Sequence, residues 1–274
     1  MSSIQQKLWD GYIHIRVVLD SPKNGDEGPI ELVLSVRRLS YFPLYFEEIA
    51  QFFARYCPEI IDSPLWLEYD GAPVQWHLPV GLLYDLLYFP RTVPCWTVKL
   101  HCSEYPRQFI LPFQSVDYKA HLKLVVMNSL KQSCFVLNGS SRLIMNLNRE
   151  KSDQLWGAIV QHNWVVHKDI NQEIIPITSK IQRIPIKMYL SGTSTMIQSP
   201  VYPESSDGGG GANTLQDVVE ASFPQSLIDK SSIIIQGISL DDLSTASPSI
   251  VELWSLFKHL DNFLHVTIRP KEQE

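Results

Sequence analysis

Closely spaced cysteines, a basic excess and long apolar runs are all missing from this chain of 274 residues. No run approaches the roughly 20 consecutive apolar residues that a membrane-spanning helix needs, and Met1–Asp10 carries no apolar signal-peptide core. The four cysteines, Cys57, Cys95, Cys102 and Cys134, show no paired metal-ligand spacing. Cys95 and Cys102 stand at opposite ends of one predicted strand, too far apart for a local disulfide. Reduced thiols in a cytoplasmic setting are therefore expected. A formal net charge of −6 and a pI near 5.8 argue against a dedicated nucleic-acid binder. Gly208–Gly211 lacks the Lys-Ser/Thr of a phosphate loop, no serine stands in a nucleophile elbow, and no dinucleotide fingerprint occurs. His162 and His167, five apart on one predicted helix, do not share a face as a zinc pair four apart would. No cofactor and no metal site are expected.

What is present is a hydrophobic content of 45%, enough for one sizeable core or several small ones. Tyr12–Asp20 alternates as a strand, Ser21–Pro29 is a polar loop, and Ile30–Val36 alternates again. Pro43 suits a first helical turn, where a missing N–H costs nothing. Ile49, Phe52, Phe53 and Tyr56 give that helix an apolar side, and Cys57-Pro58 stops it. Leu65, Leu67 and Tyr69 alternate, Asp70-Gly71 is a hairpin turn signal, and Val74–His77 is expected to return as the partner strand. Beyond Pro79, Val80–Leu87 carries leucines at helical spacing, and Cys95–Cys102 reads as a closing strand. This order, complete within about a hundred residues, is similar to a ubiquitin-like β-grasp domain.

After Tyr105-Pro106 the period changes. Val116, Ala120, Leu124 and Met127 recur at helical spacing, Asn138–Ser141 is a break, and a second helix is expected over Glu150–His167, starting near Ser152, with Leu155, Trp156, Ile159 and Val160 on one face. From Ile181 the β-grasp order returns: strands Ile184–Leu190 and Met196–Val201, a helix Thr214–Phe223, a strand and turn over Ser232–Gly237, a helix Pro248–Leu260 and a strand Phe263–Ile268. The repeat is one of architecture rather than of sequence. Pro203–Gly211 is too polar and Gly-rich to pack, and a mobile loop is expected there.

Four stretches together carry a specific resemblance. They are Glu68-Tyr-Asp-Gly-Ala-Pro-Val-Gln-Trp-His-Leu-Pro-Val-Gly-Leu-Leu-Tyr-Asp-Leu-Leu87, Leu137-Asn-Gly-Ser-Ser141, Gln154-Leu-Trp156 and Leu260-Asp-Asn-Phe-Leu-His-Val-Thr-Ile-Arg-Pro270. Spread in order over nearly the whole chain, they resemble the autophagy protein 5 family, in a form similar to its fungal members. The resemblance implies an α+β chain with two ubiquitin-like β-grasp domains flanking a helix-rich domain. Its expected divisions are an N-terminal helix over 1–10, a first ubiquitin-like domain over 11–105, the helix-rich domain over 106–180 and a second ubiquitin-like domain over 181–274.

The same resemblance implies a scaffold and conjugation acceptor, not an enzyme by itself. The chain ends Lys271-Glu-Gln-Glu274 without the C-terminal Gly of a modifier, so it is not expected to be the donor; the acceptor role is what the resemblance implies. Family members accept the ubiquitin-like autophagy protein 12 on a lysine, which by the matching motif is Lys131. They bind the N-terminal helix of autophagy protein 16 and work with the conjugating-enzyme-like autophagy proteins 10 and 3. The assembled conjugate has ligase-like activity, promoting transfer of autophagy protein 8 to phosphatidylethanolamine at the preautophagosomal membrane. Lys131 falls four residues after Met127 on the predicted apolar stripe, whereas Lys119 and Lys123 flank it. Trp76, Pro79, Gly81, Tyr84 and Asp85, with His77 beside them, are candidates for the partner-helix groove. Arg142, Arg149 and Lys151 form a small basic cluster, a solvated face or a contact to anionic lipid, each charge contributing roughly 1 kcal/mol near such a surface. Two other readings stay open: a two-domain adaptor that binds these partners without covalent modification, and a cysteine-dependent hydrolase or transferase.

Overall fold

The structure, a computed structural model, describes residues 2–20, 29–88, 95–113, 116–204, 211–240 and 248–271. Most of the expected loops Ser21–Pro29 and Pro203–Gly211 lies outside the described residues, as do 272–274. In chain order the elements are α1 (Ser2–Asp10), β1 (Tyr12–Leu19), β2 (Glu31–Arg37), α2 (Phe46–Phe53), β3 (Trp66–Tyr69), β4 (Ala72–Pro73), α3 (Val80–Leu87), β5 (Cys95–His101), α4 (Tyr118–Asn138), α5 (Arg142–Met145), α6 (Arg149–Val160), α7 (Trp164–Ile174), β6 (Ile184–Leu190), β7 (Met196–Val201), α8 (Leu215–Ser222), α9 (Gln225–Ile228), β8 (Ser231–Ile235), β9 (Ile238–Ser239), α10 (Ile250–Phe257) and β10 (Leu264–Pro270). They fall into two compact units: Asp10–Val125, and Met1–Trp9 together with Val126–Glu274.

Each unit is organised around one five-stranded sheet. The orders β2-β1-β5-β3-β4 and β7-β6-β10-β8-β9 are the same topology used twice. In both, the first strand of the sheet pairs antiparallel with the second and parallel with the last. The parallel pairing requires a crossover, and the helix between the second and third strands supplies it. β1 alternates as its sequence requires, with Ile13, Ile15, Val17 and Leu19 buried. Phe42, Phe46, Ile49 and Phe53, with Trp96 of β5, are essentially inaccessible in the same unit; burial of each such side chain contributes roughly 1.5–3 kcal/mol. The second sheet packs Ile184, Ile186, Met188, Leu264, Val266 and Ile268 on Val218, Val219 and Trp254.

The hairpin turn stands where Asp70-Gly71 placed it, with both residues at positive φ (51° and 78°), as a two-residue hairpin demands. Gln236 and Gly237 repeat that geometry in the second sheet, at φ 52° and 78°. The return strand is shorter than expected: it is Ala72–Pro73 rather than Val74–His77, because Val74 makes one further backbone bond to Leu67 and the chain then turns through Gln75–Leu78. The helix expected over Glu150–His167 is two helices. It breaks at Gln161–Asn163, where His162 takes φ 54° and the Asn163 side chain caps α7. Asn148, not Ser152, caps α6. Both α8 and α10 open with reciprocal capping boxes, Thr214–Asp217 and Ser249–Glu252.

Candidate functional site

Lys131 lies near the middle of α4, a helix of 21 residues. The buried stripe of α4 is Leu122, Val126, Leu130, Cys134 and Leu137, recurring at three and four residues as a packed helix face does. This corrects the sequence-based choice of stripe: Val116 and Ala120 are exposed, Leu124 is 65% exposed and Met127 is half-buried. Both sides of α4 are apolar enough to pack, and the one expected to be buried is the open one. Lys131 therefore belongs to a half-exposed flank, with Phe135 one turn further on and 58% exposed. Its amine makes no hydrogen bond or ion pair among the described residues. Lys119 and Lys151 instead hold carboxylates at 2.7 Å, on Glu47 and Glu173.

The backbone under Lys131 is firmly held. Ser129 Oγ donates to Asp261 Oδ2 at 2.8 Å, and Lys187 Nζ reaches Ser129 Oγ at 3.3 Å while lying 3.8 Å over the Phe263 ring. Asp261 in turn accepts from the amide of Phe263 and meets His265 Nε2 at 3.1 Å, and His265 Nδ1 meets Tyr189 Oη at 3.1 Å. Burial alone would push the Asp261 carboxyl up; His265, Lys187 and His259 outweigh it and hold it well below the usual carboxylate range. Asp261 and His265 belong to the closing Leu260–Pro270 motif, so that motif anchors the helix carrying Lys131. No pattern in the sequence connects the two. A lysine on a fixed helix, amine free and stem half-covered, can act as a positioned nucleophile toward an acyl donor.

The groove candidates point elsewhere. Trp76 is buried, donates from Nε1 to the Leu111 carbonyl at 2.8 Å and stacks on Phe113 with ring centroids 4.3 Å apart. Tyr105, its hydroxyl pushed up to about 12 by burial, donates to the same carbonyl at 2.6 Å. Pro79 and Gly81 are buried as well, and the Gly81 amide donates to the Arg38 carbonyl at 2.9 Å. Asp85 is buried against Arg38, whose Nη2 lies 2.6 Å from Oδ2 and 2.8 Å from Oδ1. His77 and Tyr84 remain half-exposed, Tyr84 beneath the Arg38 guanidinium at 5.8 Å. Trp76, Pro79, Gly81 and Asp85 thus build the interior of this unit, and of the five groove candidates Tyr84 is the one at the surface. An apolar-lined concavity of the unit lies elsewhere, a cavity of about 300 Å³ lined by Pro43, Ala50, Ile61, Val116 and Tyr118 among others. No periodicity marks it, because its walls come from separate segments.

Of the basic cluster, Lys151 is neutralised by Glu173 and Arg149 lies 3.8 Å from Asp153 while remaining almost fully exposed. Arg142 is exposed on α5, beside exposed Leu143 and Met145, an apolar pair that a charge-based reading passes over. His162 and His167, separated by the helix break, converge on one partner: the Trp9 ring stacks on His162 at 4.5 Å and tilts over His167 at 4.9 Å. The four thiols are free.

Family models described as Autophagy protein ATG5 match this chain in three places: the UblA domain over residues 8–102, the alpha-helical bundle region over 119–177 and the UblB domain over 183–268. Autophagy protein 5 of Debaryomyces hansenii is 41% identical over 97% of this chain and 94% of its own length. That of Scheffersomyces stipitis is 37% identical over 98% and 97%. The crystal structure of Kluyveromyces marxianus Atg5 superposes with a TM-score of 0.80 at 25% identity, covering 97% of this chain and 99% of that one.

Proposed function

Since this chain belongs to the autophagy protein 5 family, we propose that it serves autophagy as the acceptor of the ubiquitin-like autophagy protein 12, through Lys131. The supporting observation is the Lys131 amine, unpartnered among the described residues, on a helix pinned by Ser129 and Asp261. In this reading the neutral Nζ attacks the thioester carbonyl at the modifier's C-terminal Gly. The C–N bond forms, the C–S bond breaks, the carrier thiolate leaves and the amine proton passes to solvent. The catalytic cysteine is the carrier's, so this chain is no enzyme by itself and is ligase-like only within the conjugate.

With the helix of autophagy protein 16 bound near Tyr84 or in the cavity lined by Ile61 and Val116, the conjugate engages the conjugating-enzyme-like proteins and promotes lipidation of autophagy protein 8. Arg142 and Arg149 with Leu143 and Met145 suit a peripheral contact to anionic lipid, consistent with a cytoplasmic protein recruited to the preautophagosomal membrane. The test is Lys131→Arg, which keeps charge and length but is effectively never deprotonated. A thiol-resistant higher-mass band should be present for the wild type and absent for the variant, with unchanged melting temperature. Persistence of that band in the variant refutes Lys131 as acceptor. Its absence from the wild type in its host would favour the adaptor that is never covalently modified.

A further inference from the structure

We propose that Cys57 and Cys102 form a redox-modification site that closes to an intramolecular disulfide by exchange with a low-molecular-weight disulfide such as glutathione disulfide. The two sulfurs lie 3.7 Å apart although their residues are 45 apart in sequence, which is van der Waals contact between thiols. Cys57 follows the end of α2 and Cys102 follows the end of β5, so neither belongs to a regular element whose geometry resists rotation. A bonded S–S distance is about 2.05 Å, so closure brings the two sulfurs about 1.7 Å nearer than their present 3.7 Å. Both side chains are half-buried, open enough for a tripeptide disulfide to reach. A soft-metal site is the other use of paired thiols, and although Glu59 Oε2 lies 3.4 Å from the Cys57 sulfur, no group of three or more histidine, cysteine and acidic side chains among the described residues is placed to hold a metal ion.

The two sulfurs have different roles. Cys57 Sγ donates to Glu59 Oε2 at 3.4 Å, and a carboxylate beside the sulfur opposes its thiolate; burial, then the neighbouring Cys102 and Glu59, push the thiol up, which makes it a slow attacker of an external disulfide. Cys102 therefore takes the first step. Its thiolate attacks one sulfur of glutathione disulfide, the S–S bond breaks, and one glutathione thiolate leaves. The Cys57 thiol, losing its proton to solvent, then attacks the Cys102 sulfur and expels the second glutathione. Two protein thiols are oxidised and one glutathione disulfide is reduced to two thiols. The new bond joins the end of α2 to the end of β5 within one unit. By restricting the unfolded chain it should raise that unit's melting temperature by roughly 5–15 °C.

The experiment uses the full chain, incubated with glutathione disulfide at pH 8, alkylated and mapped by mass spectrometry. The expected product is a linked peptide pair containing Cys57 and Cys102, with Cys95 and Cys134 alkylated and a melting temperature that falls back on addition of dithiothreitol. In Cys57→Ser the mixed glutathione adduct should accumulate on Cys102, whereas Cys102→Ser should collect little adduct on Cys57. Alkylation of all four thiols in the treated wild type would overturn the proposal. So would glutathione retained on Cys102 of the wild type without closure, or a linked pair involving Cys95 or Cys134.

Discussion

His167 should make this protein acid-labile in a window set by one imidazole. The ring is 5% exposed, neither nitrogen has a hydrogen-bond partner, and Trp9 covers it. Burial, followed by the charges of Lys258 and His162, lowers its pKa from 6.5 to about 3. The unfolded chain therefore binds a proton below pH 6.5 that the folded chain refuses until about pH 3, and stability falls as pH falls through that interval. Between pH 7 and pH 5 the loss from this group is about 2 kcal/mol, a shift of roughly 4–8 °C for a chain of this size. Asp261 contributes little to the slope there, since its carboxyl is ionised in both the folded and the unfolded chain above about pH 5. Replacing His167 by Leu or Phe removes the titration along with two unsatisfied buried nitrogens. Urea unfolding followed by tryptophan fluorescence should show the variants losing about 2 kcal/mol less than the wild type between pH 7 and pH 5. Parallel pH profiles for wild type and variants, or an imidazole resonance of His167 that titrates near its ordinary value in the folded protein, would refute the argument.

Two further perturbations address the interior around α3. The Arg38–Asp85 pair has side-chain exposures of 13% and 3%, so Asp85→Asn leaves a buried guanidinium without its counter-charge and should cost about 3–5 kcal/mol; Arg38→Met combined with Asp85→Leu should cost far less, and equal losses by urea titration would contradict a coupled pair. At Gly81 an added Cβ would lie 3.1 Å from the Arg38 carbonyl oxygen and 3.2 Å from the Arg38 Cβ. Gly81→Ala should therefore be close to neutral or destabilising by about 1–2 kcal/mol, overpacking set against helix propensity. Gly81→Glu should lower the melting temperature sharply. An unchanged melt with selective loss of partner-peptide binding would restore Gly81 to a partner surface.

What could be read from the residues alone was whatever depends on neighbours in the chain. Period-two alternation put β1 and β2 within a residue of their ends, β6 and β7 stand at the bounds expected for them, Asp70-Gly71 set the first hairpin turn, and Thr214 and Leu215 opened α8 where they stand. These features rest on local dihedral preferences and on which side chains share a face. The order of elements, used twice, and the spaced motifs were enough to identify the family and to single out Lys131. Questions of contact were another matter. Leu122, Val126 and Leu130 compete with Leu124, Met127 and Phe135 for the inward side of α4, and no pattern within the helix breaks that tie, because the choice is made by what packs against it.

The same limit explains the groove and the histidines. Trp76, Gly81 and Asp85 have the composition of a binding surface, yet Phe113, the Arg38 carbonyl and the Arg38 guanidinium occupy them from distant points in the chain. The break at His162 brings two histidines onto Trp9, which lies 153 residues before His162, and the fold carries Cys102 to within 3.7 Å of Cys57. The sequence by itself determined most of the elements, their order and the lysine to examine, since those follow from local conformational energy and a recognisable pattern. Which face is buried, which charge is neutralised and which thiols meet were decided only by tertiary packing, because each depends on contacts between segments that the linear order keeps far apart.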